Sequence, residues 1–157
     1  MAAYRFLTTW LVGASRKSAW DVLQDAERWP LWWRGVQRVA LLDQGDAESV
    51  GSRYRIAWRS RVPYELEFDF TVRRVEAPRL MEGDAAGDLA GTGCWRLFEQ
   101  DGVTAVVYEW NVRSAKRWMN LLGPVARPVF EHNHDLVMRW GGEGLARELG
   151  ASLLAAG

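Results

Sequence analysis

The sequence predicts an α+β fold in which a curved antiparallel sheet wraps a long C-terminal helix and leaves an apolar interior. Three observations carry this. Residues 53 to 61 and 64 to 73 alternate between apolar and charged side chains with a period of two, the mark of strands with one wet face. The runs that follow are separated by short turn signals such as Gln100-Asp101-Gly102, so neighbouring strands must run antiparallel. Residues 125 to 149 then place Phe130, His134, Val137, Met138, Gly141 and Leu145 on one helical stripe, and a helix after such a run buries its stripe by lying across the sheet.

Taken in order, residues 4 to 12 mix aromatic and branched side chains and suit an opening strand. Ser15 caps a short helix to about Leu23, whose apolar positions are Ala19, Trp20 and Leu23. Asp25 and Trp29-Pro30 stop it, and Pro30 opens one further turn containing Trp32 and Trp33. We expect Trp29, Trp32 and Trp33 to plug the core rather than line an opening or form a docking patch. Val36 to Leu42 is the second strand, and Gly45 to Gly51 supplies a loop.

The next two strands form a hairpin turning near Pro63; if paired residue numbers sum to 124, Arg59 stands opposite Glu65 and Arg55 opposite Asp69. Those pairs make the outer face a ladder of opposite charges that fixes register more than it adds stability. They also argue against reading the arginines as a nucleic-acid site. The inner face carries Tyr54, Trp58, Tyr64, Phe68 and Phe70, a nearly continuous aromatic wall.

Arg79 to Asp88 is a further strand, and the glycines at 87, 91 and 93 mark a tight turn or bulge. Residues 92 to 99 have an ambiguous facing, with Cys94, Arg96 and Phe98 on one side and Trp95 and Leu97 on the other. In 103 to 112, Val106, Tyr108, Trp110 and Val112 face inward. Pro124 and Pro128 disfavour helix at the residues before them, so Trp118 to Leu122 is expected as a separate turn ahead of the main helix.

Composition excludes several classes. The chain has 157 residues, enough for one domain over 1–157, and 20 Lys plus Arg balance 20 Asp plus Glu; the summed charge gives no reason to expect nucleic acid as partner. One cysteine, Cys94, rules out an internal disulfide framework and any thiolate cluster within the chain. Phe6 to Ala14 is a poor version of an export signal and no apolar run reaches the roughly 20 residues of a membrane span, so a cytoplasmic protein is expected. His132 and His134 lie about 200° apart on a helix, which removes the usual chelating face. Gly91-Thr92-Gly93 leads into a strand and so is no phosphate loop, and no Gly-x-Ser-x-Gly elbow is present. No metal or cofactor is expected.

The combination Ala19-Trp20-Asp21-Val22-Leu23, Arg28-Trp29-Pro30, Trp32-Trp33, Gly87-Asp88-Leu89, Gly91-Thr92-Gly93, Arg127-Pro128 and Asn133-His134-Asp135 with Met138 resembles the polyketide cyclase/dehydrase branch of the START-like (SRPBCC) superfamily. The resemblance covers nearly the whole chain. It implies a helix-grip, Bet v 1-like fold with a deep apolar cavity between sheet and helix. It implies no single function, because such proteins include lipid carriers, hormone receptors and aromatase/cyclases.

The candidate site therefore rests on the residues. A pocket of roughly 300 to 1,000 Å³ is expected between the aromatic wall, Trp110 and the helix residues Phe130, Val137 and Met138. Polar groups able to reach it are Tyr54, Tyr64, Arg96, Tyr108, Asn133 and His134. The first reading is a binder of an apolar or aromatic small molecule, lipid- or polyketide-like. The second is a cyclase or dehydratase using His134 as acid/base, with Tyr108, Tyr64 or Arg96 as donors.

Overall fold

The computed structural model describes residues 3–61 and 64–157. The elements run β1 (Ala3–Val12), α1 (Arg16–Gln24), a 3₁₀ turn (Ala26–Arg28), α2 (Trp29–Trp32), β2 (Val36–Asp43), β3 (Arg53–Trp58), β4 (Leu66–Glu76), β5 (Leu80–Gly87), β6 (Leu89–Gln100), β7 (Val103–Ser114), α3 (Arg117–Leu149) and β8 (Leu153–Ala156). The strands form one antiparallel sheet in the order β2-β3-β4-β5-β6-β7-β1-β8. Its concave face holds α3, as a helix following a run of hairpins requires.

Local chemistry accounts for most boundaries. Ser15 caps α1, its hydroxyl accepting from the Ser18 amide at 3.2 Å. Gly150 ends α3 in the left-handed conformation at φ 60°. The β3–β4 register sets Arg55 against Asp69 and Tyr54 against Phe70, as the alternation requires. Arg55 Nε donates to Asp69 at 2.8 Å. The second expected pair does not form: β3 ends at Trp58, and Glu65 takes Arg38 from β2 instead of Arg59. The expected turn at Pro63 lies outside the described residues.

Two elements differ from expectation. β8, which follows the Gly150 cap and pairs with β1, has only four residues and no alternation for sequence reading to find. The separate turn at 118–122 is absent, because α3 runs unbroken through Pro124 and Pro128. Both prolines are on the solvent side of the helix, where carbonyls tilt toward water and a bend is most easily absorbed.

The helix approaches the sheet closely at its C-terminal half. Gly141, Gly142 and Gly144 are buried there against indoles. A Cβ at Gly141 would stand 2.5 Å from Trp33 Cε2, one at Gly142 would stand 2.9 Å from Trp10 Cδ1, and one at Gly144 would overlap the Trp32 carbonyl oxygen. Trp10 and Trp33 meet edge to face with centroids 5.5 Å apart, and the Trp33 indole donates to the Val137 carbonyl at 2.8 Å. These three glycines have no propensity reason to be inside a helix, where each costs about 1 kcal/mol against alanine; packing is their reason. Gly144→Ala is therefore expected to destabilise despite its better helix propensity, by roughly 2 to 3 kcal/mol for forced overpacking. Urea unfolding followed by tryptophan fluorescence checks this, and a variant as stable as wild type would refute the close approach.

Candidate functional site

The elements enclose a cavity between the concave face and α3, of about 80 Å³ open to the centre of a water molecule. The inward positions of each strand reach it in turn: Tyr54, Ile56 and Trp58 from β3, Phe68, Phe70 and Val72 from β4, then Tyr108 and Trp110 from β7. His134, Val137 and Met138 close it from α3. Trp95, stacked on Tyr108 at 4.0 Å, forms the wall between β5 and β7.

Part of that wall is backbone. Gly83 and Gly93 face each other across β5 and β6. A Cβ at Gly83 would come within 2.8 Å of the Phe70 ring, and one at Gly93 within 3.0 Å of both the Trp110 ring and the Tyr108 hydroxyl. The missing side chains give these rings room to lie across neighbouring strands, the usual reason for glycine inside a sheet.

Four of the expected site residues lie elsewhere. Arg96 is on the outer face, 3.8 Å from Glu109, because burial without a partner would cost a guanidinium several kcal/mol while the outer face offers a carboxylate. Phe130 is buried beyond the cavity, packing on Tyr4 at 4.4 Å and on Trp58 at 6.2 Å. Asn133 donates to the Tyr64 hydroxyl at 3.2 Å, and the pair ties α3 to the segment before β4 instead of lining the space.

Other lining residues escaped sequence reading. Trp29 and Trp33 line the cavity, with Leu23, Gln24 and Ala26 from the α1 end, Val36 from β2 and Met81 from β5. The tryptophan cluster is thus both plug and wall: Trp32 and Trp33 are buried and stacked at 5.6 Å, while Trp29 donates to the Leu23 carbonyl at 3.0 Å. The indoles of Trp29, Trp33 and Trp95 also explain why the space is narrower than expected. Gln24 and Met81 additionally line an outer cleft with Trp20, Glu48 and Glu76, so they stand where the cavity meets the surface. The proximity of the α1 end to β5 is a long-range fact with no local sequence signal.

The polar groups are few and differ in state. His134 stacks on Phe6 at 3.7 Å, and neither ring nitrogen has a hydrogen-bond partner among the described residues. Asp135 Oδ1 lies 3.5 Å from Nδ1, but that carboxylate is 77% exposed. Burial, the larger effect, pushes the imidazole pKa down and Asp135 only partly opposes it, so the ring is neutral at pH 7. Burial pushes the Tyr108 phenol far up, keeping it a protonated donor; its ring is half-buried because one side opens on the cavity. Tyr54 is also raised, first by burial and then by the Glu27 carboxylate. Cys94, raised by burial, is held as an inert thiol. No grouping of metal-ligating side chains occurs among the described residues, and none of their helices is long and apolar enough to cross a membrane.

With the cavity defined, comparison with known proteins places the chain. The family model for polyketide cyclase / dehydrase and lipid transport matches residues 12–137. The chain belongs to this family. Its fold is that of Zhui aromatase/cyclase from Streptomyces sp. R1128, at TM-score 0.74 and 15% identity over 95% of this chain and 94% of that one. A START superfamily protein from Mycobacterium smegmatis matches at TM-score 0.71 and 14% identity, over 93% and 97%. The di-domain ARO/CYC StfQ from the steffimycin biosynthetic pathway matches at TM-score 0.69 and 12% identity, with 94% of this chain covering 52% of that one. At these identities the likeness establishes the helix-grip fold alone. No curated protein matches the sequence significantly.

The state of His134 has a consequence for stability. Its folded pKa lies below the ordinary value of about 6.5, so as pH falls through that value the unfolded chain takes up a proton that the folded chain refuses. Stability is then full above about pH 6.5 and declines below it, by up to about 1.4 kcal/mol per pH unit for one group. Urea titrations of wild type and His134→Leu between pH 7.5 and 5 check this: the variant should lose less stability on acidification, and equal slopes would refute a buried neutral imidazole.

Proposed function

We propose that the protein binds an apolar, aromatic small molecule of lipid- or polyketide-like character in the cavity between sheet and α3. The observation that carries this is an aromatic-lined space whose few polar groups include a protonated phenol and an imidazole whose Nε2 has no hydrogen-bond partner among the described residues. Such a lining favours a ligand with a flat apolar body and one or two acceptor or hydroxyl oxygens. Membership of the family supports this reading.

The volume of about 80 Å³ holds only part of such a ligand, so side chains must move on binding. Met81 and Met138 line the space and, being unbranched and flexible, yield at least cost. The rigid indoles hold the remaining walls.

The test is native mass spectrometry of freshly purified protein, then extraction and identification of any bound compound. A stoichiometric apolar compound is the expected result. Tyr108→Phe, which keeps the ring and removes the hydroxyl, should then weaken its affinity by roughly fivefold, the loss of about one hydrogen bond. Unchanged affinity in both Tyr108→Phe and Phe70→Leu would remove the cavity as the binding site.

One observation favours a second reading, a cyclase or dehydratase working in the same cavity. A neutral imidazole with Nε2 unengaged among the described residues can accept a proton from carbon next to a carbonyl, and a phenol can hold the developing enolate oxygen. His134 would be the base and Tyr108 the donor. On that reading His134→Ala abolishes turnover of a poly-β-ketone substrate while the protein stays folded by circular dichroism; wild-type turnover in the variant would refute the role.

A further inference from the structure

The N-terminal half of α3 carries a surface that neither the cavity nor the core explains. Met119, Ala126 and Phe130 are buried against the sheet. On the opposite side Leu121 is 82% and Val125 69% exposed, and Leu122 and Val129 are exposed beside them. The helix is therefore apolar on both sides here. Arg127 apart, its outer face becomes polar only beyond Val129, at His132, Asp135, Arg139 and Glu143. A helix apolar all round is normally covered on every side, and this one is covered on one.

The chain segment that carries that face has charges of a single sign. From residue 110 to 130 the sequence contains Arg113, Lys116, Arg117 and Arg127 and no acidic residue. Lys116 lies 3.4 Å from Asp88, and Arg127 lies 3.9 Å from Glu131 and donates to the Ala3 carbonyl. Arg113 and Arg117 are exposed and have no ion-pair partner among the described residues. Arg117, Leu121, Val125 and Val129 follow one another at spacings of four, so a free cation heads the apolar row on the same helical stripe.

We propose that this face of α3 docks on an anionic lipid surface, with Leu121, Leu122, Val125 and Val129 seated at the level of the acyl chains and Arg117 among the headgroups. The physical arguments select this occupant over a second copy of the chain. A second copy brings two more cations without ion-pair partners among the described residues, its own Arg113 and Arg117, to the same seam, whereas anionic headgroups neutralise them. The row is about two turns long, and four side chains fall well short of the roughly 800 Å² per partner that a stable protein interface buries. A bilayer asks for less, since an interfacial helix gains from partial burial of its apolar face plus attraction of its basic residues to anionic headgroups. The docking is independent of what the cavity holds.

Co-sedimentation with vesicles tests it. Wild type should bind vesicles of phosphatidylcholine mixed with phosphatidylglycerol, bind pure phosphatidylcholine less, and release as salt rises. Arg117→Glu should weaken binding by roughly fivefold or more, the equivalent of about 1 kcal/mol for each lost cation. Leu121→Glu/Val125→Glu should abolish it while leaving the unfolding midpoint unchanged, since both side chains are already in solvent. Leu7→Glu, at an exposed leucine on β1, should bind as wild type does. Failure to bind anionic vesicles, or equal binding by the double variant, overturns the proposal. Sedimentation equilibrium showing a dimer that the double variant dissociates overturns it in favour of a second copy.

Discussion

Everything about the interior depends on how near α3 can come to the β1 and α2 tryptophans. Three glycines within four residues let the helix backbone rest on indole faces, and the Trp33 indole adds a hydrogen bond to a helix carbonyl. This contact pins the C-terminal half of α3 to the sheet. It also positions His134, Val137 and Met138, one to two turns earlier, over the strands that carry the aromatic wall. A helix held a side-chain layer further out would leave those residues without opposing partners.

The same economy shapes the sheet. Gly83 and Gly93 remove side chains from the inner face, and Phe70, Tyr108 and Trp110 lie into the space they leave. The cavity is then bounded largely by stiff rings, and the unbranched side chains in its lining are Met81, Met138 and Gln24. Within this setting desolvation dominates: it keeps His134 neutral and Tyr108 protonated, giving the interior an acceptor and a donor without a fixed charge. A site of that kind suits polar atoms on an otherwise apolar molecule and disfavours an anion or cation, which would lose its hydration with nothing to replace it.

Alternation along β3, β4 and β7 and the three-four spacing in α3 state which side chains face inward, and the structure places those residues accordingly. Alternation fixed which faces of β3 and β4 meet, and the register that opposes Arg55 to Asp69, one of those setting arginine against acid, is the one adopted. Arg96 was not, because β6 offers a mixed pattern on each face and its partner Glu109 belongs to another strand. Asn133 sits at the edge of its helical stripe and Tyr64 was read as part of the inner wall; their mutual hydrogen bond ties distant elements together, which alternation does not encode. The roles of Trp29, Trp33 and Met81 depend on the α1 end meeting β5, a contact across some 50 residues that no local pattern encodes.

By itself, then, the sequence determined most of the strands, the main helix and the inward faces of β3, β4, β7 and α3, because those follow from periodicity and turn chemistry within a few residues; β8, the start of α3 and the facing of β6 did not. It also carried the family, through residues spread along the chain. Tertiary structure alone decided the narrowness of the cavity, the burial of His134 against Phe6 and the exposure of the outer face of α3's first half. Each of these is set by what packs or fails to pack on a side chain from distant elements, and burial of that kind is a property of the assembled fold rather than of any segment.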